Sequence, residues 1–251
     1  MFHIIDVFDK EDKEGKFLQH SYEQAEFRVG EMTTVFGSKS AGGKKAHQAL
    51  DTKNNLEMIT DDVVAKDHPY HNHYRKQSYY GKSYTIMKKF IDDCSELRHQ
   101  TAWNFHTDFI FSKYMTGGYY HTHVDSQKMG NRRTDYSVTV FINDPHEYEG
   151  GELCIDIGTQ EVKFKLPAGK AILYPTGIKH RVSEVTSGER HVCVFWLESA
   201  IQDVRIRDIY RGLDAIGNKY VSQPNAGELI SKETYALKHQ LLRHLRLQNV
   251  F

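Results

Sequence analysis

The chain has 251 residues, 39% of them hydrophobic and 26% charged, and its 33 Lys and Arg are balanced by 33 Asp and Glu. That is the composition of a folded domain in water, with no global attraction to nucleic acid or to an anionic membrane and no apolar run long enough to span a bilayer. The opening MFHIIDVFDKEDKEGK lacks the basic start and apolar core of a signal peptide. Cys94, Cys154 and Cys193 are odd in number and far apart, so they suggest neither a zinc site nor a disulfide framework, and a reducing cytoplasm is the expected compartment.

In chain order, residues 1–100 read as a mixed α/β region packing on whatever follows. Ser21–Val29 and Tyr84–Leu97 carry apolar residues at helical spacing, and Gly37–Lys45 (GSKSAGGKK) reads as a loop. Residues 101–199 change character. Phe105–Met115 alternates apolar with polar residues. Asp135–Asn143, Gly151–Ile157, Glu161–Leu166, Lys170–Tyr174 and Arg190–Leu197 are short runs rich in Val, Ile, Phe, Tyr and Trp, separated by turns at Asn143-Asp-Pro, Gly150-Gly151, Pro167-Ala-Gly169 and Pro175-Thr-Gly177. Many short strands at this spacing predict a sandwich, jelly roll or barrel, so the fold class is mainly β with flanking helices. Residues 200–251 read as a helical extension. Leu237, Leu241 and Leu245, with Leu242 beside them, form an apolar stripe opposite Lys, His and Arg. The stripe packs against its own core, or else joins a homodimer.

Chemistry concentrates in the β region. His123 and Asp125 are two apart, which on an extended strand sends both side chains to one face. His180 follows a turn 55 residues after Asp125 and completes a 2-His-1-carboxylate set. Such a set caps one face of an octahedral Fe(II) and leaves positions open for substrate chemistry. Arg190 comes ten residues later, at the head of an apolar strand; a guanidinium buried among Val192, Val194 and Trp196 needs an anionic partner, and a dicarboxylate matches its fork. The alternative is an edge-strand Arg paired with an acid. A lone HxD is weak in a chain with 15 histidines; the joint pattern is stronger. His121, two before His123, shares its face and is the rival ligand, otherwise lining the mouth of the site. The cluster His68, His71 and His73 has no nearby carboxylate or Cys at metal spacing and reads as an exposed or substrate-side loop.

These residues resemble a known family. Tyr114-Met-Thr-Gly117-Gly118-Tyr-Tyr120-His-Thr-His123-Val-Asp125 is similar to the YxxGxxYxxHxD block of prolyl-4-hydroxylase-like Fe(II)/2-oxoglutarate oxygenases. Arg133-Thr-Asp135-Tyr-Ser137, Glu147-Tyr-Glu-Gly150-Gly151-Glu152-Leu153 and Leu173-Tyr174-Pro175, with His180 and Arg190, resemble the PKHD-type hydroxylases, as does Lys53-Asn54-Asn55-Leu56. The resemblance is close over residues 105–210. It implies a double-stranded β-helix with His123, Asp125 and His180 as iron ligands. It also implies Arg190 on the distal carboxylate of 2-oxoglutarate, Tyr114 reaching the same cosubstrate and Thr139 adding a hydrogen bond. The implied reaction consumes 2-oxoglutarate and dioxygen, releases succinate and CO2 and hydroxylates an unactivated C–H bond, with ascorbate as reductant. The chain departs from the pattern at Tyr136, where Leu is usual, and in the loop Ser126–Asn131; both departures bear on substrate fit.

Two rivals stand beside this reading. A nucleic-acid demethylase of the same superfamily carries a second Arg six residues after the first, where this chain has Trp196. A non-enzymatic jelly-roll module needs no iron triad. No nucleic-acid partner is expected; the substrate is a small molecule or a peptide, a prolyl residue being implied by family type alone. Tyr119, Tyr120, His121 and the 68–80 segment supply an aromatic, polar rim, with Tyr79 and Tyr80 as loop residues that set substrate choice.

Overall fold

A computed structural model of the chain describes residues 2–29, 53–59, 78–221 and 224–247. The loop Gly37–Lys45 and the histidines His68, His71 and His73 lie outside these residues. The chain divides into two compact units, one of Met1–Cys94 with Thr107–Trp196 and one of Ser95–His106 with Leu197–Phe251.

The first unit holds the strands β1 (His3–Asp6), β2 (Phe27–Val29), β3 (Lys53–Asn54) and β4 (Leu56–Met58). In the second unit β5 (Trp103–His106) follows. The first unit continues with β6 (Ile110–Tyr114), β7 (Tyr119–His123), β8 (Lys128–Met129), β9 (Arg132–Arg133), β10 (Tyr136–Phe141), β11 (Tyr148–Gly150), β12 (Leu153–Asp156) and β13 (Glu161–Phe164). Then come β14 (Lys170–Pro175), β15 (His180–Val182), β16 (Val185–Gly188) and β17 (Arg190–Ser199), the last three residues of β17 belonging to the second unit. A major sheet runs in the order β1-β14-β10-β17-β6-β4-β2, and a minor sheet in the order β13-β12-β15-β7-β3. The chain alternates between them: β6 major, β7 minor, β10 major, β12 and β13 minor, β14 major, β15 minor, β17 major. That winding is a jelly roll, the double-stranded β-helix expected from the sequence.

The two inner faces meet in one cluster. Tyr114, Phe141, Ile172, Tyr174 and Val192 come from the major sheet and Leu153, Ile155 and Val182 from the minor one. Period-two alternation explains the sorting, since Phe141, Ile172 and Val192 each take the inward position of their strand. The outer face of the major sheet is covered by α1 (Lys13–Gln24) and α2 (Tyr79–Asp93). Leu18, Tyr22, Met87 and Ile91 are buried there, with Tyr80 edge-on to Phe111 and Tyr84 against Phe109. With both faces covered, every residue of β10 is buried.

Two expectations change here. The helical spacing read at Ser21–Val29 belongs to α1 only as far as Gln24; Phe27-Arg-Val29 is instead a strand paired with β4, because aromatic and β-branched residues at a sheet margin gain more from pairing than from another helical turn. Tyr79 and Tyr80 are helical rather than loop residues. Ser78 caps α2 by accepting from the Gly81 N–H at 2.9 Å, Tyr79 stacks on Phe17, and Tyr80 is buried with its hydroxyl donating to the Phe109 carbonyl at 3.2 Å.

In the second unit, β5 pairs with residues 197–199 of β17, α3 (Ser95–Thr101) precedes it, and α4 (Val204–Tyr220) packs on α5 (Ala226–Leu247). Leu245 is buried with Ala102, Ile201 and Tyr210, and Leu241 and Leu242 pack on that cluster; Leu237, the first of the predicted stripe, is exposed. Gly217 permits the close approach of the two helices, since a Cβ there would lie 2.9 Å from Thr234 Oγ1. Asp214, buried in α4, accepts from Lys238 of α5 and lies 3.4 Å from His99. Among the described residues, no helix is long and apolar enough to cross a membrane.

Candidate active site

His123 ends β7 and faces His180 of β15 directly across the ladder. Asp125 lies two residues beyond the strand end. The three side chains converge, with one ligand-type atom from each lying within 4.8 Å of the others. His123 Nε2 is 3.6 Å from Asp125 Oδ1, and His180 Nε2 is 3.6 Å from Asp125 Oδ2. The far nitrogen of each ring is occupied: His123 Nδ1 donates to the His121 carbonyl at 2.8 Å and His180 Nδ1 to the Ile178 carbonyl at 3.0 Å. Those bonds fix the tautomer that leaves both Nε2 lone pairs aimed at the centre of the triad.

The ladder between β7 and β15 explains why His121 does not join them. His180 pairs with His123 while Val182 pairs with Tyr120, so His121 and Thr122 of β7 together oppose Arg181 of β15. This bulge inserts one extra residue and reverses the alternation. Tyr120 therefore turns inward and stacks on His123 with ring centroids 3.7 Å apart, while His121 turns out, is exposed, and lies against Tyr119. The expectation that His121 shares the face of His123 fails for that reason.

Asp125 is held from the major sheet. Ser137 Oγ donates to its Oδ2 at 2.6 Å, and the Trp196 indole Nε1–H donates to the same oxygen at 2.9 Å. Burial pushes the Asp125 carboxyl up, but the neighbouring His123 and His180 rings and the Ser137 hydroxyl together hold it below the usual carboxylate range. Burial draws His180 below the ordinary imidazole value, against the pull of Asp125. An ionised Asp125 carboxylate and a neutral His180 imidazole are states that metal binding needs. Neither Ser137 nor Trp196 was expected in this role. The signal was the period of two, which puts Trp196 on the same face of β17 as Arg190 and Ser137 on the same face of β10 as Thr139.

Arg190 lies on β17, between β10 and β6 in the middle of the major sheet, not at an edge. It is 1% exposed, and its Nε has no hydrogen-bond partner among the described residues. Its cross-strand partner is Tyr114, whose ring lies 5.0 Å from the guanidinium carbon, with the Phe141 ring at 5.5 Å. Burial pushes the Tyr114 phenol well up, so it is a neutral hydroxyl. Gly151 makes room for the Arg190 stem: φ is +66°, and a Cβ there would lie 3.1 Å from Arg190 Cδ. Thr139 is buried on β10 in the same wall. One cavity is lined by His123, Asp125, His180, Tyr114, Thr139 and Arg190 together. Tyr174 and Trp196 also line it, with Lys53 of β3, Asn55, and Glu57 of β4. Tyr136, where the chain departs from the family pattern, is not part of this wall.

The donor set is the one that suits Fe(II), and a buried guanidinium with an unpartnered Nε, set beside a phenol in the same cavity, suits an anionic cosubstrate.

Residues 109–198 match the model of the 2OG-Fe(II) oxygenase superfamily. The chain is 36% identical over 179 residues to a PKHD-type hydroxylase of Prochlorococcus marinus strain MIT 9313, covering 71% of this chain and 72% of that one. It is 33% identical over 195 residues to another of strain MIT 9303, covering 78% and 80%. The chain belongs to the PKHD-type hydroxylases. With the PKHD-type hydroxylase of P. marinus strain NATL2A it shares 45% identity over 106 residues, a match that spans about half (48%) of that relative's length. Among solved structures it is similar to a Pseudomonas putida prolyl-4-hydroxylase, at 14% identity and a TM-score of 0.46, covering 79% of this chain and 92% of that one. Within this PKHD-type chain, the triad and Arg190 both fall inside the matched segment.

Proposed function

We propose that this chain is an Fe(II)- and 2-oxoglutarate-dependent hydroxylase of an unactivated C–H bond in an amino-acid or peptide substrate, releasing succinate and CO2. The observation that carries the reading is the convergence of His123, Asp125 and His180 in one cavity with the buried Arg190. Iron held by these three side chains, with 2-oxoglutarate beside it, supplies the dioxygen-activating chemistry.

The chain's own residues do the rest. His123 and His180 offer Nε2 lone pairs from rings fixed through Nδ1. Asp125 contributes the negative charge, oriented by Ser137 and Trp196 so that its Oδ1 is free to turn toward the metal. Arg190 takes the distal carboxylate of 2-oxoglutarate, with the Tyr114 hydroxyl as a second donor and Thr139 adding a hydrogen bond. Leu153, Val182 and Val194 exclude water around the reacting atoms. Ascorbate fits the reading as an external reductant. The cytoplasm is the compartment that suits three free cysteines.

The test is succinate formation from 2-oxoglutarate in the presence of Fe(II) and dioxygen, with a mass gain of one oxygen in the substrate. Metal-dependent succinate formation in the wild-type protein, abolished in Asp125→Ala, is the expected result. Full activity in His180→Ala, or metal bound away from the triad, overturns the reading.

A further inference from the structure

Between β11 and β12 the chain turns at Gly150 and Gly151, both at positive φ, +70° and +66°. That corner brings the Tyr148 ring against the stem of Arg190. A Cβ on Gly151 would lie 3.1 Å from both Tyr148 Cε2 and Arg190 Cδ, so only a glycine leaves room for the two. Tyr148 is 2% exposed and lies behind the cavity wall rather than in it. Its ring is held in place. The Lys165 ammonium lies 4.3 Å from the ring centroid and donates to the Tyr148 carbonyl at 2.6 Å.

The backbone of Arg190 is fixed as well. The buried Asn143 side chain accepts from the His191 N–H at 2.9 Å and donates to the Glu189 carbonyl at 2.8 Å, so one carboxamide bridges the residues on either side. What these contacts leave open is the rotation of the guanidinium plane. Two buried polar atoms meet at that junction: neither Arg190 Nε nor the Tyr148 hydroxyl has a hydrogen-bond partner among the described residues. They are complementary, since Nε–H can only donate and a phenol oxygen can accept. They also feel each other, because burial pushes the Tyr148 phenol up while the Arg190 charge pulls it down. An unmet donor beside an unmet acceptor, both buried, is costly as it stands. A small rotation of the guanidinium joins them, and a carboxylate that takes the two terminal nitrogens as a fork fixes that plane.

Building on the function proposed above, we propose that Tyr148 is a positioning residue for the cosubstrate. Its hydroxyl accepts the Arg190 Nε–H once a carboxylate occupies the fork, and so locks the guanidinium in the plane that grips the distal end of 2-oxoglutarate. Tyr148 acts on Arg190 from behind and does not touch the cosubstrate. Being a neutral phenol, it leaves the full positive charge of Arg190 for the dianion.

The experiment loads the full chain with Mn(II), excludes dioxygen, and measures 2-oxoglutarate binding by calorimetry in the wild type, Tyr148→Phe, Arg190→Lys and the double variant. Tyr148→Phe should weaken 2-oxoglutarate binding about tenfold, the worth of one hydrogen bond to a charged group, with Mn(II) affinity unchanged. In the Arg190→Lys background no Nε–H remains, so the same substitution should cost nothing further. Before 2-oxoglutarate is added, Tyr148→Phe should melt no lower than the wild type, because the hydroxyl it removes has no partner there. The rise in melting temperature that 2-oxoglutarate gives should shrink. A residue that only packs would show the opposite pair of results. A lower melting temperature in Tyr148→Phe before 2-oxoglutarate is added, equal 2-oxoglutarate affinity in Tyr148→Phe and wild type, or an equal loss in the Arg190→Lys background overturns the proposal. Failure of 2-oxoglutarate to bind the Mn(II)-loaded wild-type protein overturns the hydroxylase reading itself, which separates the two.

Discussion

At Asp125 a single carboxylate oxygen accepts from both Ser137 and Trp196, so the carboxylate proposed as a metal ligand is positioned by two hydrogen bonds from the major sheet. Trp196→Phe keeps an aromatic ring and removes the indole N–H. It should lower Fe(II) affinity by about 10–100-fold, the usual cost of losing a partner behind a metal ligand, as read by metal titration. The secondary structure should be unchanged in that variant. Arg190→Lys keeps the charge and loses the planar fork, so 2-oxoglutarate affinity should fall by about 10–100-fold with iron binding preserved. Unaltered 2-oxoglutarate dependence in that variant would remove Arg190 from the cosubstrate site. Gly151→Ala combines a positive φ with crowding of the Arg190 stem, and it should weaken 2-oxoglutarate binding without touching the triad.

Among the elements, α2 and the bulge in β7 decide more than their sequences suggest. Tyr80 sits in the first turn of α2, with its ring on Phe111 and its hydroxyl on the Phe109 carbonyl. Tyr80→Phe should cost about 1 kcal/mol, that of one hydrogen bond, and Tyr80→Ala about 3–5 kcal/mol, that of a lost core aromatic, both read from urea unfolding. Selectivity toward substrates should be unchanged in Tyr80→Phe; altered selectivity in that variant, with stability intact, would restore the substrate-loop role read from the sequence. Deleting Thr122 would remove the extra residue of β7 and make its ladder with β15 regular, with Tyr120 and His123 on one face and His121 on the other. Metal affinity, read by titration, should then be kept.

The molecule as a whole should be sensitive to acid before its carboxylates titrate. Burial lowers the imidazoles of His180 and His191 below the ordinary value of 6.5. A histidine whose folded value is depressed takes up its proton more readily in the unfolded chain. The stability it allows is therefore present above about 6.5 and is lost as pH falls through the lowered folded values. The metal-free protein should accordingly melt at lower temperature at pH 5 than at pH 7. The slope should be smaller in His191→Phe, which removes one of the two groups and leaves the triad alone. A second loss is expected below 3.8, the ordinary value from which Asp125 and Asp144 are depressed. Equal melting temperatures across pH 5–7 would show that neither imidazole titrates on unfolding. A divalent metal that binds only the folded triad should raise the melting temperature in proportion to the logarithm of its concentration, and Asp125→Ala should abolish that rise.

The pattern of His123, Asp125, His180 and Arg190, with the family blocks around it, pointed to iron-dependent oxygenase chemistry from the sequence, because ligand type and strand period are local properties. The short apolar runs between Gly and Pro turns were enough for a jelly roll for the same reason. What lay beyond the sequence was every relation that depends on which strands become neighbours. Ser137 and Trp196 meet Asp125 only after the two sheets close. His121 leaves the site only because the pairing of β7 with β15 inserts a bulge. Tyr80 passes from loop to core only because α2 covers the major sheet. Lys53 and Glu57 lie more than 60 residues before the triad in the sequence, and the segment they occupy becomes a cavity wall only when it bridges β7 and β6. Local periodicity names the face a side chain takes on its own strand; the partner across that face is set by packing between segments far apart in the chain.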